Sequence, residues 1–167
     1  TRALLTTLEA TADARLATRG KDARFLTSSA DVTSDISANT IQLVVTSPPF
    51  LDVVNYKHDN WLRCWFNDID PDTVEIWQFK RTTEWQHAMT AVFTELYRIL
   101  RPGGFVAFEV GEVRNGSIML EDLVVPAGKK AGLTAEAILI NDQTFTKTSH
   151  CWGVDNLRKG TNTNRIV

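Results

Sequence analysis

The sequence predicts an α/β fold, a doubly wound and mainly parallel sheet that carries an antiparallel hairpin at one edge. Three observations predict it. Short apolar runs, from Ile41 to Val45, Phe105 to Val110 and Ala137 to Ile140, alternate with longer segments of helical period. The clearest of those is Thr83 to Leu100, where Trp85, Met89, Val92, Phe93, Leu96, Ile99 and Leu100 form one apolar stripe. Near the C-terminus, Gln143 to Lys147 and Asn164 to Val167 have the pattern of two strands able to pair as an antiparallel edge.

The elements follow in order. Residues Ala3 to Thr18 place Leu4, Leu5, Leu8, Ala12 and Leu16 at helical spacing, and Gly20 is a natural stop. Asp35 to Thr40 reads as loop. Ile41 to Val45, broken only by Gln42, reads as a central strand buried on both faces. It ends at Thr46-Ser47-Pro48-Pro49-Phe50, because two prolines cannot continue a central strand. Asn60 to Phe66 is aromatic-rich and helical, with Trp61 and Trp65 favoured as core residues over a role at a groove or pocket. Arg101-Pro102-Gly103-Gly104 terminates the long helix. A further helix is expected between about Leu120 and Ala131, which Pro126 must start, kink or split.

At 167 residues the chain is about one domain in size, and with 43% hydrophobic residues it can bury a core. The whole span 1–167 reads as a single, partial domain. It begins Thr1-Arg2 and stops at Asn164-Arg165-Ile166-Val167, in what reads as a strand, so a boundary cut through a larger protein is expected. No apolar run reaches the roughly 18 residues of a membrane helix, so no membrane association is expected. Cys64 and Cys151 lie far apart and form no metal-type spacing with His58, His87 or His150. No metal site is expected, and the two thiols suit the reducing cytoplasm. The net charge of −2 is unevenly spread: from Phe145 onward Lys147, Arg158, Lys159 and Arg165 face Asp155 alone. That basic end is either a phosphate-facing edge, which makes Lys147, Arg158 and Lys159 candidate nucleic-acid contacts, or a solvated tail.

The chemistry-bearing segment is Ser47-Pro48-Pro49-Phe50. In open α/β sheets sites lie just past the carboxyl ends of the strands, which is where this segment falls. A serine hydroxyl and a carbonyl fixed by proline rings give two acceptors that can hold both hydrogens of an amino group. Phe50 adds a flat apolar face against which a planar ring can stack.

Ser-Pro-Pro-Phe after a hydrophobic strand resembles the catalytic motif of the amino-methylating DNA methyltransferases, which act on adenine N6 or cytosine N4. Proline supplies only about 5% of residues in proteins, so a chance match in this length is rare. Glu95-Leu96-Tyr97-Arg98-Ile99-Leu100-Arg101-Pro102-Gly103-Gly104 resembles the helix and turn that follow the catalytic strand in many Rossmann-like methyltransferases. Phe145-Thr146-Lys147-Thr148, Cys151-Trp152-Gly153-Val154 and Lys159-Gly160-Thr161-Asn162-Thr163-Asn164-Arg165 resemble the terminal hairpin of DNA methylase domains. The resemblance runs from about Asp22 onward.

It implies a Rossmann-like methyltransferase fold, S-adenosyl-L-methionine as cofactor and DNA as partner. Ser47, Pro48, Pro49 and Phe50 would be catalytic, and Thr46 and Tyr56 would line the substrate site. Asp22 would contact the cofactor; Glu109, at the active-site end of its predicted strand, is a second candidate for the same role. It also implies an aromatic followed by Gly-x-Gly as the cofactor loop, and the nine glycines give no such spacing. The missing strands would precede Thr1 or follow Val167. Three other readings stay open: methylation of RNA, methylation of a protein glutamine, and an inert fragment that keeps the fold. The oligomeric state and the methylated base are not legible.

Overall fold

A computed structural model describes residues 23–51, 54–114, 117–142 and 163–167. Within them run β1 (Ile41–Thr46), α1 (Tyr56–Asp59), α2 (Trp61–Phe66), α3 (Thr82–Ile99), β2 (Leu100–Val113), β3 (Ile118–Met119), α4 (Glu121–Lys130), β4 (Leu139–Asp142) and β5 (Thr163–Ile166).

The two longer central segments, β1 and β2, pair in parallel, with Leu43 opposite Phe105 and Thr46 opposite Phe108. The sheet order is β1-β2-β5-β4, with β3 against the far end of β2. β5 joins β2 antiparallel, Glu109 facing Ile166, and β4 joins β5 antiparallel, Leu139 facing Ile166. The chain is therefore α/β with an antiparallel hairpin at one edge, as the alternation of elements predicts. The outer strand of that hairpin is β4, which begins two residues after the predicted start at Ala137; β5 lies inside it. Gln143 to Lys147, the predicted partner of Asn164 to Val167, lies outside the described residues, as does the predicted helix from Ala3 to Thr18.

β2 starts with an irregularity that only glycine permits. Ile41 faces Leu100 but Leu43 already faces Phe105, so Gln42 stands opposite the four residues 101–104. Gly103 has φ +75°, in the left-handed region, and its carbonyl accepts from the Gln42 amide at 3.2 Å. A Cβ on Gly104 would lie 2.9 Å from the Arg101 carbonyl oxygen and 3.1 Å from that of Gln42, closer than packed atoms approach. The Pro-Gly-Gly turn predicted to stop the helix thus also lets β2 come up against β1.

The core is the predicted stripe of α3. Trp85, Met89, Val92, Phe93, Leu96 and Ile99 are buried against Phe108, Val110 and Val113 of β2 and against Val124 and Ala127 of α4. α4 passes straight through Pro126 without splitting. The last turn of α3 also anchors the loop that leads into β1. Arg98 donates to both Glu95 carboxylate oxygens, at 2.6 and 2.7 Å, and to the carbonyls of Thr33 and Ile36. Thr33 donates to Glu95 through its N–H at 2.7 Å.

Two expectations are corrected. Ile41 to Val45 is not a central strand buried on both faces; among the described residues β1 is the edge strand, and Leu43 and Val45 are 55% and 74% exposed. Ile41 and Val44 pack on the α3 core, but no described helix covers the other face, where Phe105 is also exposed. Trp61 and Trp65 are not core residues either: they are 58% and 69% exposed, because α1 and α2 stand away from the α3 core. The predicted helix from Asn60 to Phe66 is α2, with Asn60 separating it from the single turn of α1.

The Glu95 network makes stability depend on acid. Donation from Arg98 lowers the Glu95 pKa from 4.5 to about 2, against the opposing effect of burial and with help from Thr33. A carboxylate with a lowered folded-state pKa stabilises the fold fully above about pH 4.5 and loses that contribution as pH falls toward 2. Glu95→Gln should therefore be less stable than the wild type at neutral pH, with the gap closing across that window. Urea unfolding at a series of pH values measures it, and a gap that does not change with pH would refute the assignment.

Candidate active site

β1 delivers its last residue, Thr46, beside Phe108, and the chain then leaves the sheet as Ser47-Pro48-Pro49-Phe50. Three contacts hold the segment. The buried Trp85 indole donates through Nε1 to the Pro49 carbonyl at 3.0 Å. The Phe50 N–H donates to the Tyr56 hydroxyl oxygen at 2.8 Å. Leu51 is fully buried in the α3 core, so the chain is pinned immediately after the motif. Among the described residues nothing donates to the Pro48 carbonyl and nothing occupies the Ser47 hydroxyl.

The motif forms one wall of a cavity of about 700 Å³, within the size range of small-molecule sites. The opposite wall is α1, α2 and the loop that folds back after them. Asn60, Arg63, Cys64 and Asn67 line it, together with Pro71 and Trp77. Arg63 donates to the Asn60 side-chain oxygen at 2.7 Å, and the Asn60 amide donates to the Tyr56 carbonyl at 2.7 Å. Lys57 forms an ion pair with Asp72, tying the returning loop to α1. The cavity lining therefore combines the Ser47 and Pro48 acceptors, the Asn60 and Asn67 amides, the Arg63 guanidinium, the Glu75 carboxylate and the half-exposed Phe50.

The structure brings together Ser47, Pro48, Pro49, Phe50 and Tyr56, which share this cavity. Thr46 precedes it within β1 and does not line it. Glu109 lies on β2 one residue beyond Phe108, exposed, and accepts from the Asn164 side-chain amide of β5. Asp22, Lys147, Arg158 and Lys159 lie outside the described residues. His58 is exposed on α1 and does not line the cavity. Of the residues across the cavity, Asn60 and Arg63 belong to the Tyr56 to Trp65 segment that the sequence left open as a pocket or groove lining; sequence reasoning missed Asn67, and it read Trp85 only as part of the core stripe. The available signal was that a buried indole N–H needs an acceptor.

Near this end of the sheet an ionic cluster holds β5 in place. Arg165 is buried; its guanidinium donates to Glu112 at 3.3 Å and forms an ion pair with Glu121 at the start of α4. A second cavity, of about 710 Å³, lies along the first half of β2 between α3 and α4, and its lining is mostly apolar. Among the described residues no three His, Cys, Asp or Glu side chains gather as metal ligands. No described helix is long and apolar enough to cross a membrane.

No protein-family model matches the chain, and no curated protein matches it. Two solved structures from Thermus thermophilus resemble it, each described as a “putative DNA modification methylase”. One is a selenomethionine derivative, at 18% identity and TM-score 0.46, covering 80% of this chain and 45% of that one. The other is complexed with S-adenosyl-L-methionine, with the same identity and score, covering 80% of this chain and 48% of that one. The chain thus spans about half the length of these neighbours.

Breaking a buried ion pair typically costs about 3–5 kcal/mol, because the partner is left charged and desolvated. Arg165→Met should lower the unfolding free energy by that amount, since it leaves the Glu112 and Glu121 carboxylates facing each other. Chemical denaturation measures this. A loss below about 1 kcal/mol, the scale of an exposed pair, would show that the cluster does not hold β5.

Proposed function

We propose that the protein carrying this chain is an S-adenosyl-L-methionine-dependent methyltransferase acting on an exocyclic amino group of a DNA base, cytosine N4 or adenine N6. The observation that supports it most is an acceptor pair to which no described residue donates. The Ser47 hydroxyl and the Pro48 carbonyl stand at the C-terminal end of β1, beside a cavity into which Phe50 also opens. A base amino nitrogen is a poor nucleophile because its lone pair is delocalised into the ring. Two acceptors holding its hydrogens would turn that lone pair out of the ring plane toward a donor. The target base would have to leave the duplex to reach the site, and stacking on Phe50 would hold it there.

The residues described fit the acceptor half of this reaction and not the donor half. Gly103 and Gly104 sit at the entrance of β2, Gly132 lies just past α4, and Gly111 is buried in β2 opposite Asn164. None of them makes a loop beside Ser47 that could cradle a nucleoside, so no methyl-transfer step is assigned to these residues. S-adenosyl-L-methionine is proposed on the resemblance of the motif, with Glu109 and Asp22 as the candidate contacts from this chain. Thr46, expected at the substrate site, is the last residue of β1 and lies outside the cavity lining, and Lys147, Arg158 and Lys159 are proposed to meet DNA phosphates.

Two measurements test the reading. In the full-length protein, Ser47→Ala should lower the rate of methyl transfer from labelled cofactor to DNA by about 10²–10³ while leaving folding intact. Phe50→Ala should cost about 1–3 kcal/mol of base stacking, whereas Phe50→Tyr should remain active. Near wild-type transfer by folded Ser47→Ala would reduce the motif to a turn. Separately, calorimetry on this 167-residue chain should give a dissociation constant for S-adenosyl-L-methionine weaker than about 1 μM, a binding free energy short of about −8 kcal/mol. Tighter binding would put the donor site within this chain.

A further inference from the structure

Few rotations are left free between Ser47 and Phe50. The rings of Pro48 and Pro49 fix φ at both residues, and each residue that precedes a proline, Ser47 and Pro48, is held to extended ψ. That leaves ψ of Pro49 and φ of Phe50, the two torsions that rotate the plane of the peptide between them. That one peptide is gripped on both polar sides. Its carbonyl takes the Trp85 Nε1–H at 3.0 Å, and its N–H goes to the Tyr56 hydroxyl at 2.8 Å. The two grips come from different elements, the first turn of α3 and the start of α1. Trp85 is fully buried, so the packed core sets its position.

We infer that Trp85 and Tyr56 are positioning residues that lock the Pro49–Phe50 peptide, and thereby set the direction of the Phe50 ring and anchor the far end of the proline-stiffened segment that carries the Pro48 carbonyl. This rests on the reading of Ser47 and Pro48 as the amino-holding pair, and it adds where their geometry comes from. Neither grip uses the two acceptors proposed for the substrate, so the motif is preorganised without consuming them. Tyr56 lines the cavity, but its hydroxyl oxygen is already engaged by Phe50, and the lock is its principal task.

The test uses the full-length protein with Tyr56→Phe and Trp85→Phe, each of which keeps an aromatic ring and removes one hydrogen bond. Two readouts are taken: hydrogen exchange at the Phe50 amide, and the single-turnover rate constant for methyl transfer, which does not depend on the fraction of protein folded. Tyr56→Phe should speed exchange at Phe50 by about fivefold to tenfold. Each variant should lower the single-turnover rate constant by about ten- to a hundredfold, the penalty for a reacting group misplaced by a fraction of an ångström to an ångström, with the KM for DNA unchanged. Unchanged exchange in Tyr56→Phe would overturn the lock. So would wild-type rate constants in both variants where Ser47→Ala is impaired. If Trp85→Phe fails to fold, Tyr56→Phe decides alone, since Tyr56 lies outside the α3 core. If wild-type protein transfers no methyl group, or Ser47→Ala is unimpaired, the functional reading fails instead. The exchange at Phe50 then decides the lock without it.

Discussion

The apolar stripe of α3 is the constraint from which the rest of the molecule takes its position. An 18-residue helix is about 27 Å long, and β1, beside which it packs, extends about 20 Å. The helix therefore overhangs the strand at both ends, and each overhang holds a loop. At its first turn Trp85 takes the Pro49 carbonyl after β1; at its last turn Glu95 and Arg98 hold the loop before β1. Thr40 N–H also donates to the Ile99 carbonyl at 2.9 Å. β1 contributes little core of its own, with Leu43 and Val45 facing outward, yet it cannot slide along its axis because both of its ends are tied to one rigid body.

The α3 helix was legible because its period repeats over five turns and Pro-Gly-Gly follows it; the observed end at Ile99 differs from the predicted one by a residue. The motif that lines the cavity stood out because Ser-Pro-Pro-Phe is a rare string with a stated geometry. What the sequence does not encode locally is which apolar face finds a partner. Ile41 to Val45 looks the same whether one face is covered or two, and the sheet order that leaves β1 at an edge depends on strands far along the chain. Trp61 and Trp65 were assigned to the core on the average behaviour of tryptophan, and among the described residues α2 has no packed element behind it to satisfy that average. The far part of the cavity was invisible for a related reason. Pro71 and Trp77 reach it only because the chain doubles back after Phe66, and helical spacing carries no information about that return.

Charge is placed economically around this frame. Arg165 with Glu112 and Glu121 joins β5 to β2 and α4, and Glu95 with Arg98, a pair within α3, reaches the distant loop by hydrogen bonds to Thr33 and Ile36. Both sit where hydrophobic packing runs out, one at the end of α3 and one where β5 meets α4. The antiparallel register that sets Glu109 opposite Ile166, and Asn164 against the Glu109 carboxylate, is the register that the Arg165 cluster selects.

The parallel pairing of β1 with β2 also sets the order in which the molecule can form. Gln42 and Gly103, whose contact marks the start of that pairing, are 61 positions apart. During synthesis β1, with the motif already attached to it, emerges well before the helix that holds its ends or the strand that pairs with it. Non-local parallel pairing is slow because loop closure must precede any compensating contact. For that interval β1 has neither β2 nor α3 beside it, and the two prolines after it then limit how far its edge can run. A Ser-Pro-Pro terminus cannot extend a ladder with a neighbouring nascent chain, so the exposed edge is kept to six residues until α3 arrives.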